Sequence, residues 1–250
     1  MLHGLDLRSG RIDLDAACQA IAGLKADVVA VQEVDRGLER TDGVDQIARL
    51  AELLGWHGAF GPALLGDPDT RWSACPADDP GGQPAYGVGL LSRLPLTGVR
   101  RIALPGGGDG ERKPGAVPGD PGWDYEPRVA LSAFVAVDGQ LVRITTTHLS
   151  YLPWRCVAQL EAAARIAEAG RGRGPAALLG DLNLPAWGAR LVLSGTRWVH
   201  AGGTPTYPAW EPRIQTDQIL VTGGIVVREL KVGRPATSDH LPLLATLALT

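Results

Sequence analysis

Residues 176–183 read Ala176-Ala177-Leu178-Leu179-Gly180-Asp181-Leu182-Asn183. The four apolar residues predict a short strand, and the chain leaves it through a glycine and two small polar side chains. Alone, Asp181 and Asn183 could do no more than close a turn by bonding their own backbone. The same arrangement recurs, however. Glu33 follows the apolar, β-branched run 28–31, His148 follows 142–147, and Asp239-His240 precedes the apolar run 241–247. In layered α/β proteins such strand ends converge on one edge of a sheet, where sites form.

Outward from these runs, helices and strands alternate. Leu14, Ala17, Cys18 and Ile21 fall at helical spacing and predict a helix over 13–23. A buried strand follows over 27–31, ending at Gln32-Glu33, and then a helix over about 45–54 that Gly55 stops. Further strands are expected over 88–92, 129–137, 141–148, 219–221, 225–232 and 243–247, with an alanine-rich helix over 157–169. The alternation predicts an α/β or mixed layered domain. Two stretches, 66–84 and 105–122, are crowded with Gly, Pro and Asp and are expected to be long loops that carry specificity. Arg171 and Arg173, set between glycines, are expected in a solvated turn.

Composition narrows the function classes. The chain has 250 residues, 45% hydrophobic and 20% charged, which is ordinary for a globular protein with a sizeable core. No run approaches the ~18 apolar residues of a membrane helix, and no signal peptide is visible. The net charge of −3 gives no global footprint of a nucleic-acid binder. Cys18, Cys75 and Cys156 form no C-x-x-C pair or zinc spacing, and are expected as free thiols in the cytoplasm. A G-x-S-x-G elbow, a P-loop and an H-E-x-x-H motif are all missing from the sequence.

A cluster of Glu, two Asp, Asn and two His suits phosphate-ester hydrolysis. Carboxylates hold a hard cation, histidines donate to developing charge, and an Asp can orient and deprotonate water. The order of the motifs sharpens this. Val31-Gln32-Glu33-Val34, Gly89-Leu90-Leu91-Ser92, Glu126-Pro127-Arg128, Thr147-His148-Leu149, Gly180-Asp181-Leu182-Asn183, Asp217-Gln218-Ile219-Leu220 and Ser238-Asp239-His240-Leu241-Pro242 occur in that sequence along nearly the whole chain. The series resembles the endonuclease/exonuclease/phosphatase superfamily. That resemblance implies a single domain over 1–250 with the deoxyribonuclease-I-like α/β (α+β) fold, a four-layer α/β-β/α sandwich.

The resemblance also implies roles. Glu33 would bind the metal, Mg²⁺ or Mn²⁺, with Asp239 beside it. Asp181 would lie near the metal and activate the attacking water. Asn183 would hydrogen-bond a phosphate oxygen. His240 would contact the scissile phosphate, with Asp217 fixing its tautomer. His148 would be the second phosphate-contacting histidine, with Glu126 as its carboxylate partner. The substrate is expected to be a phosphate ester, with nucleic acid, phospholipid headgroup and sugar phosphate all open, and the protein a monomer.

The pattern departs from the family at one place. The family's first strand carries an Asn just before a segment like Met1-Leu2-His3-Gly4, and here the sequence starts at that Met. Two expectations follow: either the natural chain begins upstream, or the shortened form is catalytically impaired and serves as a scaffold or binding protein.

Overall fold

The computed structural model describes residues 1–7, 9–79, 81–112, 124–169, 174–234 and 237–250. The second half of the 105–122 stretch, with Arg171 and Arg173, lies outside the described residues. In chain order the elements are β1 (Leu5–Asp6), β2 (Arg11–Ile12), α1 (Leu14–Leu24), β3 (Val28–Arg36), α2 (Gln46–Leu54), β4 (His57–Gly66), β5 (Arg71–Ala74) and β6 (Ala85–Ser92). They continue with β7 (Thr97–Ala103), β8 (Gly110–Glu111), β9 (Val129–Val137), β10 (Gln140–His148), α3 (Pro153–Glu168), β11 (Ala176–Asp181) and α4 (Ala186–Val192). The chain closes with β12 (Val199–His200), β13 (Asp217–Val221), β14 (Ile225–Val232) and β15 (Leu243–Leu249).

Local chemistry sets the helix ends. The Asp13 carboxylate accepts from the Ala16 N–H and the Asp45 carboxylate from the Ala48 N–H, so each satisfies an orphan donor of a first helical turn. Pro153 opens α3, where its missing N–H costs nothing.

Strand alternation builds the layers. One sheet has the order β12-β13-β11-β10-β9-β7 and the other β3-β6-β4-β5-β8. Leu131, Ala133, Val135, Ile144, Ala177 and Ile219 of the first sheet share one core with Ala63, Val88 and Leu90 of the second. The intervening residues face outward into separate cores. Val29, Val31 and Leu91 meet Ile21 of α1 and Ile47 and Leu50 of α2. Ala130, Leu178 and Leu220 meet Leu160 and Ala163 of α3 and Ala189 of α4. Each central strand is therefore covered on both faces, which explains its unbroken apolar run. The result is the four-layer sandwich expected from the sequence.

The β14–β15 ladder forms its own sheet and lays Val227, Leu243, Ala245 and Leu247 against the inter-sheet core. Among the described residues, no strand pairs with the outer edge of β3 or with the β15 edge away from β14. No helix among the described residues is long and apolar enough to cross a membrane.

The structure corrects several sequence expectations. Strand β3 does not end at Gln32-Glu33; it runs on to Arg36 through a register shift between Gln32 and Val34. The 66–84 stretch is not all loop, since β5 pairs there with β4 and with β8. Strands β4 and β7 and helix α4 were not expected, and α3 starts at Pro153, ahead of residue 157. Strand β4 hides because Gly58, Gly61 and Pro62 break its apolar pattern. The gap at Gly61 is filled from the facing sheet: a Cβ there would lie 3.0 Å from Cβ of Leu131.

Leu131 is thus a fully buried pivot between the sheets. Leu131→Ala should destabilise the protein by roughly 2–5 kcal/mol, the range for a large-to-small change in a core that collapses only partly. Urea unfolding measures this, and a loss under about 1 kcal/mol would contradict the packing described.

Candidate active site

Register alone assembles the centre of the site. Strands β10 and β11 are parallel, with His148 opposite Asp181. Strands β11 and β13 are antiparallel, with Asp181 opposite Asp217. His148, Asp181 and Asp217 therefore stand abreast on three adjacent strands at one edge of the six-stranded sheet. Strand β3 of the other sheet crosses close by, and the Gln32 side chain donates to Thr146 Oγ1 at 3.0 Å.

His240 arrives from the loop before β15. Its Nδ1 lies 2.7 Å from Asp217 Oδ2, and the Thr206 hydroxyl donates to the same oxygen at 2.6 Å. The Tyr207 ring rests on the imidazole, with centroids 4.7 Å apart. The loop is tied down by the Leu241 N–H donating to Thr206 O at 2.8 Å and the Ala209 N–H donating to Asp239 O at 2.6 Å. Burial by itself lowers the His240 pKa. The hydrogen bond and charge of Asp217, with the carboxylates of Asp181 and Asp239, outweigh it and push the imidazole up to about 9. With Nδ1 held by Asp217, Nε2 is the atom that faces the site, 3.9 Å from Asp181 Oδ2.

Asp181 sits between the two imidazoles, its Oδ2 also 3.7 Å from His148 Nε2. Burial and the neighbouring carboxylates of Asp217 and Glu33 push its pKa up to about 7, against the pull of His240 and the Asn183 N–H. Asn183 takes a left-handed backbone, φ 50°, which brings its N–H to Asp181 Oδ1 at 2.9 Å. Its side-chain amide donates to Leu149 O at 2.8 Å, which leaves the second N–H of that amide free to turn toward the site.

Glu33 occupies the bulge of β3 with φ 56°. Burial raises its pKa, and the Asp239 carboxylate adds to the rise. Glu33, Asp181, Asp217 and Asp239 thus form a neighbourhood of carboxylates that act on one another. Among the described residues, no three His, Cys, Asp or Glu side chains close into a metal cage.

Glu126 is not placed as expected. It does not bond His148; it takes Arg112 Nη2 at 2.6 Å and Arg128 Nη2 at 3.2 Å. Its short tether to the buried Arg128 dictates that direction. His148 Nδ1 is left buried without a hydrogen-bond partner, as is Arg128 Nε. Burial, with the charges of Arg128 and His240, holds the His148 pKa well below the usual histidine value, so the ring is neutral.

Sequence reasoning missed Asp124, which is fully enclosed. It takes Arg128 Nη2 at 2.5 Å, the Ser150 hydroxyl and the Tyr151 N–H at 2.9 Å, so it clamps the loop that follows His148. Asp124, two residues ahead of Glu126-Pro127-Arg128, was the available signal. Thr206 and Tyr207 carried none, because only the fold brings them to His240.

A family model described as the Endonuclease/Exonuclease/phosphatase family matches residues 2–240. No curated protein matches the sequence. Solved structures do. An endonuclease/exonuclease/phosphatase from Beutenbergia cavernae is 23% identical with TM-score 0.71, covering 99% of this chain and 69% of that one. A mannosyl-6-phosphatase from Bacteroides thetaiotaomicron is 14% identical with TM-score 0.65, covering 94% and 90%. The human Nocturnin catalytic domain with a bound sulfate anion is 20% identical with TM-score 0.61, covering 95% and 86%. These likenesses show the fold, and the family match over almost the entire length shows that the chain belongs to the Endonuclease/Exonuclease/phosphatase family.

Proposed function

We propose that this protein hydrolyses a phosphate ester bond with the help of a divalent cation. The observation that carries the reading is the placement of Asp181 Oδ2, 3.7 Å and 3.9 Å from Nε2 of His148 and of His240, with His240 backed by Asp217. A carboxylate poised near neutrality between two imidazoles, one charged and one neutral, supplies an acid and a base at one point. The phosphatase and the sulfate-bound domain among the structural neighbours support a site that receives a tetrahedral anion.

In the proposed reaction Asp181 orients a water molecule and accepts its proton as the water oxygen bonds to phosphorus. The ester P–O bond breaks on the opposite side. His240 carries a proton on Nε2 at neutral pH, and this proton stabilises the developing charge and passes to the leaving oxygen. Asp217 holds the imidazole in that tautomer and keeps it charged. The free N–H of the Asn183 amide and the Nε2 side of His148 address the remaining phosphoryl oxygens.

The donor chemistry fits Mg²⁺ or Mn²⁺. Glu33, Asp239 and Asp181 offer hard oxygen ligands, and their mutual repulsion is a demand for positive charge. Such ions need only one or two carboxylates because they keep several waters, so the open arrangement is no obstacle. The bound ion would polarise the phosphoryl group and offset its charge.

His240→Ala and Asp181→Ala should each lower kcat on bis(p-nitrophenyl) phosphate by at least ~100-fold, the effect of removing a general acid–base or charge-stabilising group. Near-wild-type turnover in both variants would show that the assignment is wrong. EDTA should abolish hydrolysis, and Mg²⁺ or Mn²⁺ should restore it. Glu33→Gln should raise the cation concentration needed for half-maximal rate. Hydrolysis that survives exhaustive chelation would rule out the cation-assisted reaction.

A further inference from the structure

The four most exposed large apolar side chains among the described residues are Trp154, Trp187, Leu191 and Trp210, each between 69% and 71% exposed. A tryptophan left this open forfeits a large hydrophobic gain, so three of them with an equally open leucine call for a partner. They are not scattered. Trp154 stands in the first turn of α3, which leaves β10 just past His148. Trp187 stands in the first turn of α4, which leaves β11 just past Asp181 and Asn183. Because β10 and β11 are parallel with His148 opposite Asp181, both helices start at the same edge of the sheet. Leu191 lies one turn beyond Trp187 on the same helical face. Trp210 belongs to the segment fastened to the site by Ala209 and Tyr207, through Asp239 O and the His240 ring. All four residues thus extend from the segments that carry the catalytic groups.

Charge chooses the partner. A nucleic-acid strand would need cations along its phosphates. The chain carries a net charge of −3. Arg155 donates to the carbonyl oxygens of Asp124 and Glu126, Arg213 pairs with Glu211, and the exposed Arg190 of α4 alone makes no cationic track. Leu191 offers no ring to stack on a base. Indole rings with an aliphatic neighbour match the boundary between headgroups and acyl chains, where Trp concentrates, and a zwitterionic bilayer demands no positive protein charge.

We infer that this edge docks on the surface of a zwitterionic phospholipid bilayer and turns the site toward a phosphate ester held at the lipid–water boundary. The docking stands on the exposed side chains alone; the substrate class rests on the phosphoesterase reading above. The test is co-sedimentation with phosphatidylcholine vesicles, with indole emission followed in parallel. The wild-type protein should bind with a blue shift. Combined Trp154→Ala, Trp187→Ala and Trp210→Ala should weaken binding at least tenfold, about the effect of losing part of one buried aromatic side chain. The triple variant should keep its melting temperature and should hydrolyse soluble bis(p-nitrophenyl) phosphate within about twofold of wild type, since exposed substitutions disturb little. Wild-type protein that ignores the vesicles, or a triple variant that binds them equally well, overturns the docking. So does tight binding of a single-stranded oligonucleotide that the triple variant loses, because the tryptophans would then serve stacking. Vesicle binding without hydrolysis of any soluble phosphodiester upholds the docking and defeats the phosphoesterase reading instead.

Discussion

Gly180 has φ 145°, and a Cβ there would lie only 2.0 Å from the carbonyl oxygen of Thr147. No side chain fits. The close approach lets β11 lie against β10 with His148 opposite Asp181, and the next strand, β13, inherits the alignment and sets Asp217 opposite Asp181. A slip of one residue at this contact would turn Asp181 to the other face of the sheet and place Leu178 toward the wrong core. The geometry of the candidate site and the division of apolar residues between two cores thus depend on one glycine. His240 depends on it at second hand, because its orientation comes from Asp217.

The site also draws on strained backbone. Glu33 and Asn183 both lie in the left-handed region, with φ 56° and 50°. Neither is a glycine, so each conformation costs free energy that the surrounding structure must impose. At Glu33 the cause is the bulge that lets β3 continue to Arg36 while its carboxylate leaves the ladder phase. At Asn183 the cause is the turn that carries its N–H to Asp181. Both residues are aimed by the backbone as well as by their rotamers.

How far the sequence disclosed these features follows from how local each one is. The strands β3, β9, β10 and β11 were legible because both their faces are buried, which leaves continuous apolar runs. The polar residues at their ends stood out by contrast. Strand β4 was not legible, since its glycines are matched to side chains of the facing sheet, as Gly61 is to Leu131. Glu126 was assigned to His148 on the strength of the family resemblance, yet two arginines compete for it at 2.6 Å and 3.2 Å. Thr206 and Tyr207, which hold and cover the His240–Asp217 pair, lie in an irregular segment with no periodicity to read. Their contribution exists only after the fold closes.

Electrostatics explains why such a site needs the deep core behind it. Asp181 and Glu33 are both pushed toward protonation by burial and by carboxylate neighbours, so their ionised forms are disfavoured where they stand. Arg128 eases Glu33 only in part, since Asp124 and Glu126 already engage it. The N-terminal ammonium and His240 oppose the rise at Glu33, and His240 does so at Asp181, but Asp217 claims the imidazole first. The carboxylates therefore crowd at the point where the strand ends, the bulge of β3 and the His240 loop meet. The inter-sheet core around Leu131 and Leu90 keeps these groups from relaxing apart. Carboxylates can stay this crowded because the layers that carry them are held by packing, far from the charges themselves.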